Sequence, residues 1–181
     1  MHIHAAMSCL LAVISTLLVC CAEGSDPVSL DEVKAETRGR HPNISHVSPD
    51  EVARWIKDES AHGQPLLFDV REAEEFNVSH LEGAVRIQPG ANAGDLIDGE
   101  LKGVGRDRRI VLYCSVGVRS AAATQRLKNA GFTNVHNMNG SIFQWANEGR
   151  PIYCGSEKAS KVHPYDKHWG RYLKPELRAE R

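Results

Sequence analysis

The chain has 181 residues and a mass of 20.0 kDa, with 41% hydrophobic and 25% charged residues. These proportions are typical of a globular protein and exclude the disordered, collagen-like and coiled-coil classes. Residues 1–24 contain no Lys or Arg and one acid, Glu23, so the remaining 157 residues carry 22 basic and 22 acidic side chains. This balance argues against a nucleic-acid partner, which selects for a basic surface.

The N-terminal segment indicates export. Residues 5–22 are uncharged and lead into Ala22-Glu23-Gly24, a small-x-small pattern typical of signal cleavage, so we predict a signal peptide over residues 1–24 and a periplasmic destination. Leu18-Val19-Cys20-Cys21 also resembles a lipoprotein box, and 18 uncharged residues reach the lower limit for a membrane span. A lipoprotein and a retained anchor therefore remain alternatives, and only these two predict membrane contact.

The body of the chain alternates between predicted strands and helices. Residues 25–43 are polar and contain two prolines, which indicates a leader with one short helix, and residues 44–153 form the predicted domain. A capping box, Ser48 to Glu51, begins the first helix of that domain. Apolar runs predict strands at Ile44–Val47, Leu66–Val70, Ala84–Ile87, Ile110–Tyr113 and Asn134–Met138. Helices are predicted after Ser48 and at Glu72–Val78, Ser120–Asn129 and Ile142–Asn147. This order predicts an α/β fold with a parallel sheet and helices on both faces.

Residues 154–181 form a predicted C-terminal tail. The segment contains three large aromatic residues, Tyr165, Trp169 and Tyr172, together with an excess of basic groups. We expect the tail to pack on the domain surface through these rings. Contact with a partner or with anionic lipid is the alternative.

The clearest chemical signal lies between a buried strand and the helix that follows it. Cys114 ends the strand, and Gly117 allows the following loop to turn sharply into the helix. Backbone N–H groups of such a loop converge on an anion, so with Arg119 nearby they are expected to lower the pKa of the Cys114 thiol. The alternative is an ordinary buried cysteine. The predicted nucleophile is Cys114, and the predicted substrate-binding residues are Ser115, Val116, Gly117, Val118, Arg119 and Ser120.

Residues 44–152 resemble the single-domain rhodaneses. The resemblance rests on four ordered motifs: LFDVRE at Leu67–Glu72, HLEGA at His80–Ala84, VLYCSVGVRS at Val111–Ser120, and Asn139-Gly140-Ser141 leading to Trp145. It implies a central, mostly parallel five-stranded sheet and a sulfur-accepting cysteine at position 114. It also implies transfer of a sulfane sulfur from thiosulfate or a persulfide to cyanide or a thiol through a Cys114 persulfide.

The resemblance leaves two other functions open. Related dual-specificity phosphatases carry a Cys-x5-Arg loop, whereas Cys114 and Arg119 form the shorter Cys-x4-Arg, which suits attack on sulfur better than on phosphate. A phosphatase or arsenate reductase is therefore the weaker alternative, and a non-catalytic binding or sulfur-carrier module is the other. The expected partners are small sulfur-containing anions and thiol acceptors, with a protein sulfur acceptor as a further alternative. No metal-ligand spacing or cofactor motif is present.

Several residues outside the loop have an expected supporting role. Asp69 and Arg71 match the family's Asp-x-Arg and are expected to pair with each other or with a neighbouring loop at the end of the second strand, with direct substrate contact as the alternative. His80 is expected to be a hydrogen-bonded structural residue, and Trp145 to lie in the core. Cys154 is interpreted as a bystander, with a sulfur relay or a disulfide to Cys114 and intermolecular pairing as alternatives.

Overall fold

The structure is a computed structural model that describes residues 29–58 and 63–180. The predicted signal peptide, residues 1–24, lies outside the described residues. The helices are α1 (Leu30–Arg40), α2 (Pro49–Ile56), α3 (Ala73–Val78), α4 (Ala93–Asp98), α5 (Val118–Asn129), α6 (Ser141–Asn147) and α7 (Lys167–Gly170), followed by a 3-10 helix at Pro175–Leu177. The strands are β1 (Ser45–Val47), β2 (Leu66–Asp69), β3 (Val85–Arg86), β4 (Ile110–Tyr113), β5 (Val135–Met138), β6 (Ile152–Cys154) and β7 (Glu157–Ala159).

Five strands form one parallel sheet in the order β1-β5-β4-β2-β3, which confirms the predicted α/β fold. Strand β4 is at the centre, and all four of its residues are fully buried. A strand buried on both faces reads as a continuous apolar run, and that is why this strand could be predicted from the sequence. The carboxyl end of β4 therefore delivers residue 114 to the middle of one sheet edge.

Side chains that alternate along the strands build a core on each face of the sheet. One core contains Val111 of β4 together with Val52 of α2 and Phe143 of α6. The other contains Leu112 of β4 together with Leu96 of α4 and Leu127 of α5. Helices thus cover both faces, as predicted, and the sheet edge between them remains available for a site.

The structure differs from the sequence interpretation in three segments. Residues 30–40, expected in a polar leader, form an 11-residue helix with a Ser29–Glu32 capping box, and its Val33 enters the core. Helix α5 begins at Val118 rather than at Ser120, because Gly117 adopts a left-handed conformation and serves as its N-cap. A hairpin, β6–β7, follows α6 where no strand was predicted. Its short strands lack the long apolar run that made β4 recognisable.

The C-terminal tail lies against the core that contains α6. Val162, Tyr172 and Leu173 are buried there, and the backbone of residue 162 pairs with that of the 3-10 segment. Asn147 at the end of α6 binds the backbone of Tyr172 and Lys174 on the tail. Within residues 29–58 and 63–180, no helix is both long and apolar enough to cross a bilayer.

Candidate active site

The Cys114 thiol lies at the start of a tight loop that leads into α5. The N–H of Gly117 donates a hydrogen bond to Sγ over 3.1 Å, and the N–H of Ser120 in the first turn of the helix also points to the sulfur. Gly117 has a φ of 111°, a conformation that a side chain would strain. The loop therefore turns backbone dipoles toward one sulfur atom, as predicted from the spacing.

Opposing effects act on the pKa of the thiol. Burial raises the pKa of Cys114, because a thiolate loses hydration inside the protein. The positive charge of Arg119 and the hydrogen bonds from Ser120 and Gly117 outweigh burial and bring the pKa below its ordinary value. The geometry thus favours the thiolate, which is the nucleophilic form of cysteine.

Arg119 is held by a buried carboxylate. Its Nη1 and Nη2 donate to the two oxygens of Glu75 over 2.8 Å each, and Nη2 also donates to Ser115 Oγ over 3.0 Å. The hydroxyl of Ser115 in turn donates to Glu75 over 2.9 Å. Burial raises the pKa of Glu75, but the hydrogen bonds and the charge of Arg119 lower it by more. The net pKa is below the ordinary value, so this carboxylate is ionised at neutral pH. The charge of Arg119 is therefore shared between Glu75 and the sulfur.

A second network supports the loop from β5. Ser120 Oγ lies 2.6 Å from Asn137 Oδ1 and 3.6 Å from Cys114 Sγ. Asn137 Nδ2 faces His46 Nδ1 at 3.3 Å, and His46 Nε2 must donate to the His41 carbonyl, because a carbonyl only accepts. His46 Nδ1 is then an acceptor, and Asn137 Oδ1 takes the one hydroxyl proton of Ser120. Ser120 consequently stabilises the Cys114 thiolate mainly through its backbone N–H and not through its hydroxyl group.

The segment after β5 fixes the position of Cys114. Ser141 Oγ accepts from the N–H of Cys114 over 3.1 Å and donates to the carbonyl of Met138 over 2.8 Å. The N–H of Ile142 donates to the carbonyl of Cys114 over 3.1 Å. Ser141 has a φ of 49°, which is uncommon for a residue with a side chain. The Asn139-Gly140-Ser141 motif thus anchors the backbone of the candidate nucleophile.

Asp69 and Arg71 form a fully buried ion pair at the end of β2. Arg71 Nε and Nη2 donate to the two Asp69 oxygens over 2.9 and 2.7 Å, and Nη2 also donates to the carbonyl of Ser79 over 2.6 Å. Both side chains have an exposed fraction of 0%. The two residues face each other and the end of α3, as the supporting role requires, and they do not line the cavity above Cys114.

A cavity of about 120 Å³ opens above the sulfur, although Cys114 itself is only 1% exposed. It is lined by Cys114, Ser115, Val116, Val118, Arg119, Tyr165 and Trp169. Of the predicted binding residues, Gly117 and Ser120 do not line it and act from below through hydrogen bonds. The buried thiol is therefore reachable by a small molecule.

Sequence reasoning missed four residues of this site: Glu75, Asn137, Tyr165 and Trp169. Glu75 and Asn137 carried no recognisable signal, since their partners lie 44 and 17 residues away in the chain. The two aromatic residues were expected to pack on the domain, but their place above Cys114 was not predicted.

Two residues considered from the sequence lie outside the cavity. His80 Nδ1 lies 3.0 Å from the carbonyl of Phe76, and its ring stacks on the ring of Phe76 with a centroid separation of 4.0 Å. Cys154 is an exposed free thiol at the end of β6, and its Sγ donates to the carbonyl of Asn77 over 3.1 Å. Neither residue contacts the candidate nucleophile.

Fold and site together define a parallel α/β protein with an activated cysteine at the carboxyl end of its central strand. The family model of the rhodanese-like domain matches residues 48–148, which is more than half of the chain. The chain therefore belongs to the rhodanese-like family.

Curated relatives are longer than the matched region. A probable adenylyltransferase/sulfurtransferase MoeZ of Mycobacterium tuberculosis is 36% identical over 121 residues, covering 66% of this chain and 29% of that protein. A tRNA uridine(34) hydroxylase of Escherichia coli is 28% identical over 128 residues, covering 70% of this chain and 35% of that protein. The chain thus spans about a third of these relatives.

Solved structures share the fold. A thiosulfate sulfurtransferase from Pseudomonas aeruginosa has a TM-score of 0.56 at 18% identity, covering 79% of this chain and 26% of that chain. The solution structure of a rhodanese-like domain from Anabaena has a TM-score of 0.50 at 22% identity, covering 67% of this chain and 89% of that chain. At these identities the likeness shows the fold alone.

Proposed function

We propose that the protein is a sulfurtransferase that carries a sulfane sulfur as a persulfide on Cys114. The observation that carries this proposal is the contact between the Gly117 N–H and Cys114 Sγ, at the mouth of a helix whose first turn also points to the sulfur. Amides that stabilise a thiolate also stabilise the terminal charge of a persulfide. The resemblance of the loop to rhodaneses and the sulfurtransferase named among the relatives support the same assignment.

The reaction consists of two displacements on sulfur. The Cys114 thiolate attacks the outer sulfur of thiosulfate or of a persulfide, a new S–S bond forms, and sulfite or a thiolate leaves. Cyanide or an acceptor thiolate then attacks the outer sulfur of the Cys114 persulfide, and the thiolate of Cys114 is restored. Neither step needs a general base, because the nucleophile is already ionised and no proton has to be removed.

Two other activities are outcomes of the test rather than parts of the proposal. A phosphatase or arsenate reductase would have to accommodate a tetrahedral oxyanion in the short loop from Cys114 to Arg119. A binding or sulfur-carrier module would use the same fold without turnover, and a protein could then be the sulfur acceptor. The lowering of the Cys114 pKa by Arg119 and the loop N–H groups favours chemistry at the thiol over binding alone.

The test is thiocyanate production from thiosulfate or an organic donor and cyanide. We expect turnover by the wild type and its loss in Cys114→Ala, whereas Cys154→Ser, the matched control at the other described thiol, keeps the wild-type rate. Equal rates in wild type and Cys114→Ala would contradict an enzymatic role. Phosphate release from an aryl phosphate, abolished by the same substitution, would indicate the phosphatase instead.

We also propose that the protein is exported to the periplasm with cleavage after the predicted signal peptide. This proposal rests on the uncharged segment of residues 5–22 and the small residues that follow it. The mass of the mature protein from its native cell tests it: loss of about 24 residues is expected. A lipid adduct on Cys20 or Cys21 would indicate the lipoprotein alternative, and an intact N terminus would contradict cleavage.

A further inference from the structure

The cavity above Cys114 is closed by two parts of the chain that are far apart in sequence. The loop and the start of α5 form the floor, and the C-terminal tail supplies two aromatic walls, Tyr165 and Trp169. The guanidinium of Arg119 lies over the face of the Tyr165 ring, and the distance from Arg119 Cζ to the ring centroid is 4.8 Å. The tail therefore belongs to the site as well as to the surface of the domain.

The tail is fixed on both sides of these rings. Upstream, the N–H of Val162 donates to the carbonyl of Leu177 over 2.7 Å. Downstream, Asn147 accepts from the N–H of Lys174 over 2.9 Å, and Leu173 is 1% exposed. Between these anchors, Asp166 caps the short helix by accepting from the N–H of Trp169 over 2.7 Å. The aromatic walls are consequently held in place before any substrate binds.

Tyr165 adopts a backbone conformation that bulky residues avoid. Its φ is 64°, and its side chain remains 44% exposed although the ring covers Arg119. Left-handed backbone at a bulky residue is an outlier that persists where the surroundings determine it, and such outliers cluster at ligand-binding sites. With this backbone conformation the ring of Tyr165 lines the cavity.

The charge of the site is unfavourable for a dianion. The two charged residues that line the cavity are the Cys114 thiolate and Arg119, and Arg119 is already paired with both oxygens of Glu75. Thiolate, guanidinium and carboxylate sum to one negative charge. The remaining lining consists of Ser115, Val116, Val118 and the two tail rings, so the cavity combines a mostly apolar lining with a net repulsion for doubly charged anions.

We propose that Tyr165 and Trp169 are specificity-determining residues that select a small sulfane-sulfur donor with an apolar organic group and at most one negative charge. This inference rests on the proposed transfer of sulfur to Cys114. An apolar cavity of about 150 Å³ holds a benzene molecule, so the smaller cavity found here, about 120 Å³, favours a donor whose organic group is smaller than a benzene ring. Organic thiosulfonates fit this description: attack by the Cys114 thiolate on the outer sulfur forms the Cys114 persulfide and releases a sulfinate.

Thiosulfate and methanethiosulfonate provide a matched pair of probes, since a methyl group replaces one charged oxygen. We measure kcat/KM for each with cyanide as acceptor and divide it by the rate of the same donor with a free thiolate in solution. After this correction we expect methanethiosulfonate to exceed thiosulfate by about tenfold, the scale of one unit of charge repulsion in a partly screened site. Equal values or a preference for thiosulfate would overturn the inference.

The walls are tested with methanethiosulfonate, whose methyl group is small enough for the cavity. Trp169→Ala is expected to lower kcat/KM for this donor by about tenfold, the size of one lost aromatic contact, while thiosulfate changes by less than about threefold. Trp169→Phe should retain most of the activity, and Tyr165→Ala should show a smaller loss because the ring is half-exposed. Lys167→Ala, on the exposed side of the same helix, is the control. A loss that is equal for both donors would contradict a role in specificity.

Glu75→Gln tests the charge argument separately. The amide keeps the size of the side chain but removes the negative charge that neutralises Arg119. The kcat/KM for thiosulfate divided by the kcat/KM for methanethiosulfonate should therefore rise about tenfold. An unchanged ratio would show that charge does not select the donor. The results also separate two failures: if no donor converts Cys114 to a persulfide, the proposed function is wrong, whereas turnover with indifferent walls refutes the specificity alone.

Discussion

The two described cysteines of this protein lie in opposite environments. Cys114 is buried, receives the N–H of Gly117 at 3.1 Å and lies near a guanidinium. Cys154 is exposed at the end of a hairpin, where its Sγ donates to the carbonyl of Asn77 and its strand partner is the acidic Glu157. A carbonyl stabilises a protonated thiol, and amides stabilise a thiolate. The comparison teaches that exposure does not make a cysteine reactive; the direction of the surrounding dipoles does.

The two thiols should differ most in whether they accept sulfur from a donor. After brief treatment with one equivalent of donor, we expect a mass increase of about 32 Da on the peptide that contains Cys114 and none on the peptide with Cys154. The reason is that Arg119 and the N–H groups of the loop lower the pKa of the Cys114 thiol and so raise its thiolate fraction. Peptide mass spectrometry checks this. Sulfur found first on Cys154 would reverse the assigned roles.

The next largest effect concerns the ion pair beside the loop. Asp69→Asn leaves the fully buried charge of Arg71 uncompensated, and we expect a loss of about 3–5 kcal/mol in the free energy of unfolding. Denaturant titration measures it. Asp50→Asn is the matched control, because Asp50 is 70% exposed in its pair with Arg150 and its loss should cost less than about 1 kcal/mol. Equal losses in the two variants would mean that the buried pair contributes no more to the free energy of unfolding than the exposed pair does.

Gly117→Ala tests how much the N–H of the loop lowers the pKa of the Cys114 thiol. A Cβ at a φ of 111° forces the backbone to relax, and the N–H then leaves the sulfur. We expect the pKa of the thiol to rise by about one unit and kcat/KM at pH 7 to fall by up to about tenfold, because the thiolate fraction falls with it. Since the thiolate is the active form, the pH–rate profile should move to higher pH. Loss of activity with an unshifted profile would assign Gly117 a purely structural role.

Ser120→Ala is expected to have the smallest effect. Its hydroxyl proton is engaged with Asn137 at 2.6 Å, whereas its contact to Cys114 is 3.6 Å, so Ser120 contributes to the lowered pKa of the thiol mainly through its backbone N–H, which survives the substitution. The pKa of the thiol should rise by less than about half a unit. A rise as large as that of Gly117→Ala would show that the hydroxyl, and not the backbone, holds the thiolate.

The parts of this protein that could be predicted from the sequence are those with local signals. Strand β4 is a run of four apolar residues, and the turn at Gly117 needs a residue without Cβ. Glu75 could not be predicted, since a lone acid in a six-residue helix is usually solvated and its burial depends on Arg119, 44 residues away.

The tail shows the same limit on prediction. Its aromatic residues predicted packing on the domain, but their position above Cys114 depends on the left-handed backbone at Tyr165 and on hydrogen bonds between Asn147 and the tail. A tyrosine does not favour a left-handed backbone, so the sequence gives no signal for that conformation at position 165. Helix α1 was underestimated for a related reason, because only Val33 and Thr37 are buried in an otherwise polar segment.

Main-chain N–H groups and Arg119 together lower the pKa of the Cys114 thiol despite its burial. The direct measurement is the ultraviolet absorbance of thiolate as a function of pH, taken as the difference between the wild type and Cys114→Ser. The account predicts a midpoint below the ordinary thiol pKa of about 8.5. A midpoint at or above that value would show that burial raises the pKa of Cys114 by more than Arg119 and the loop N–H groups lower it, which would contradict this assignment.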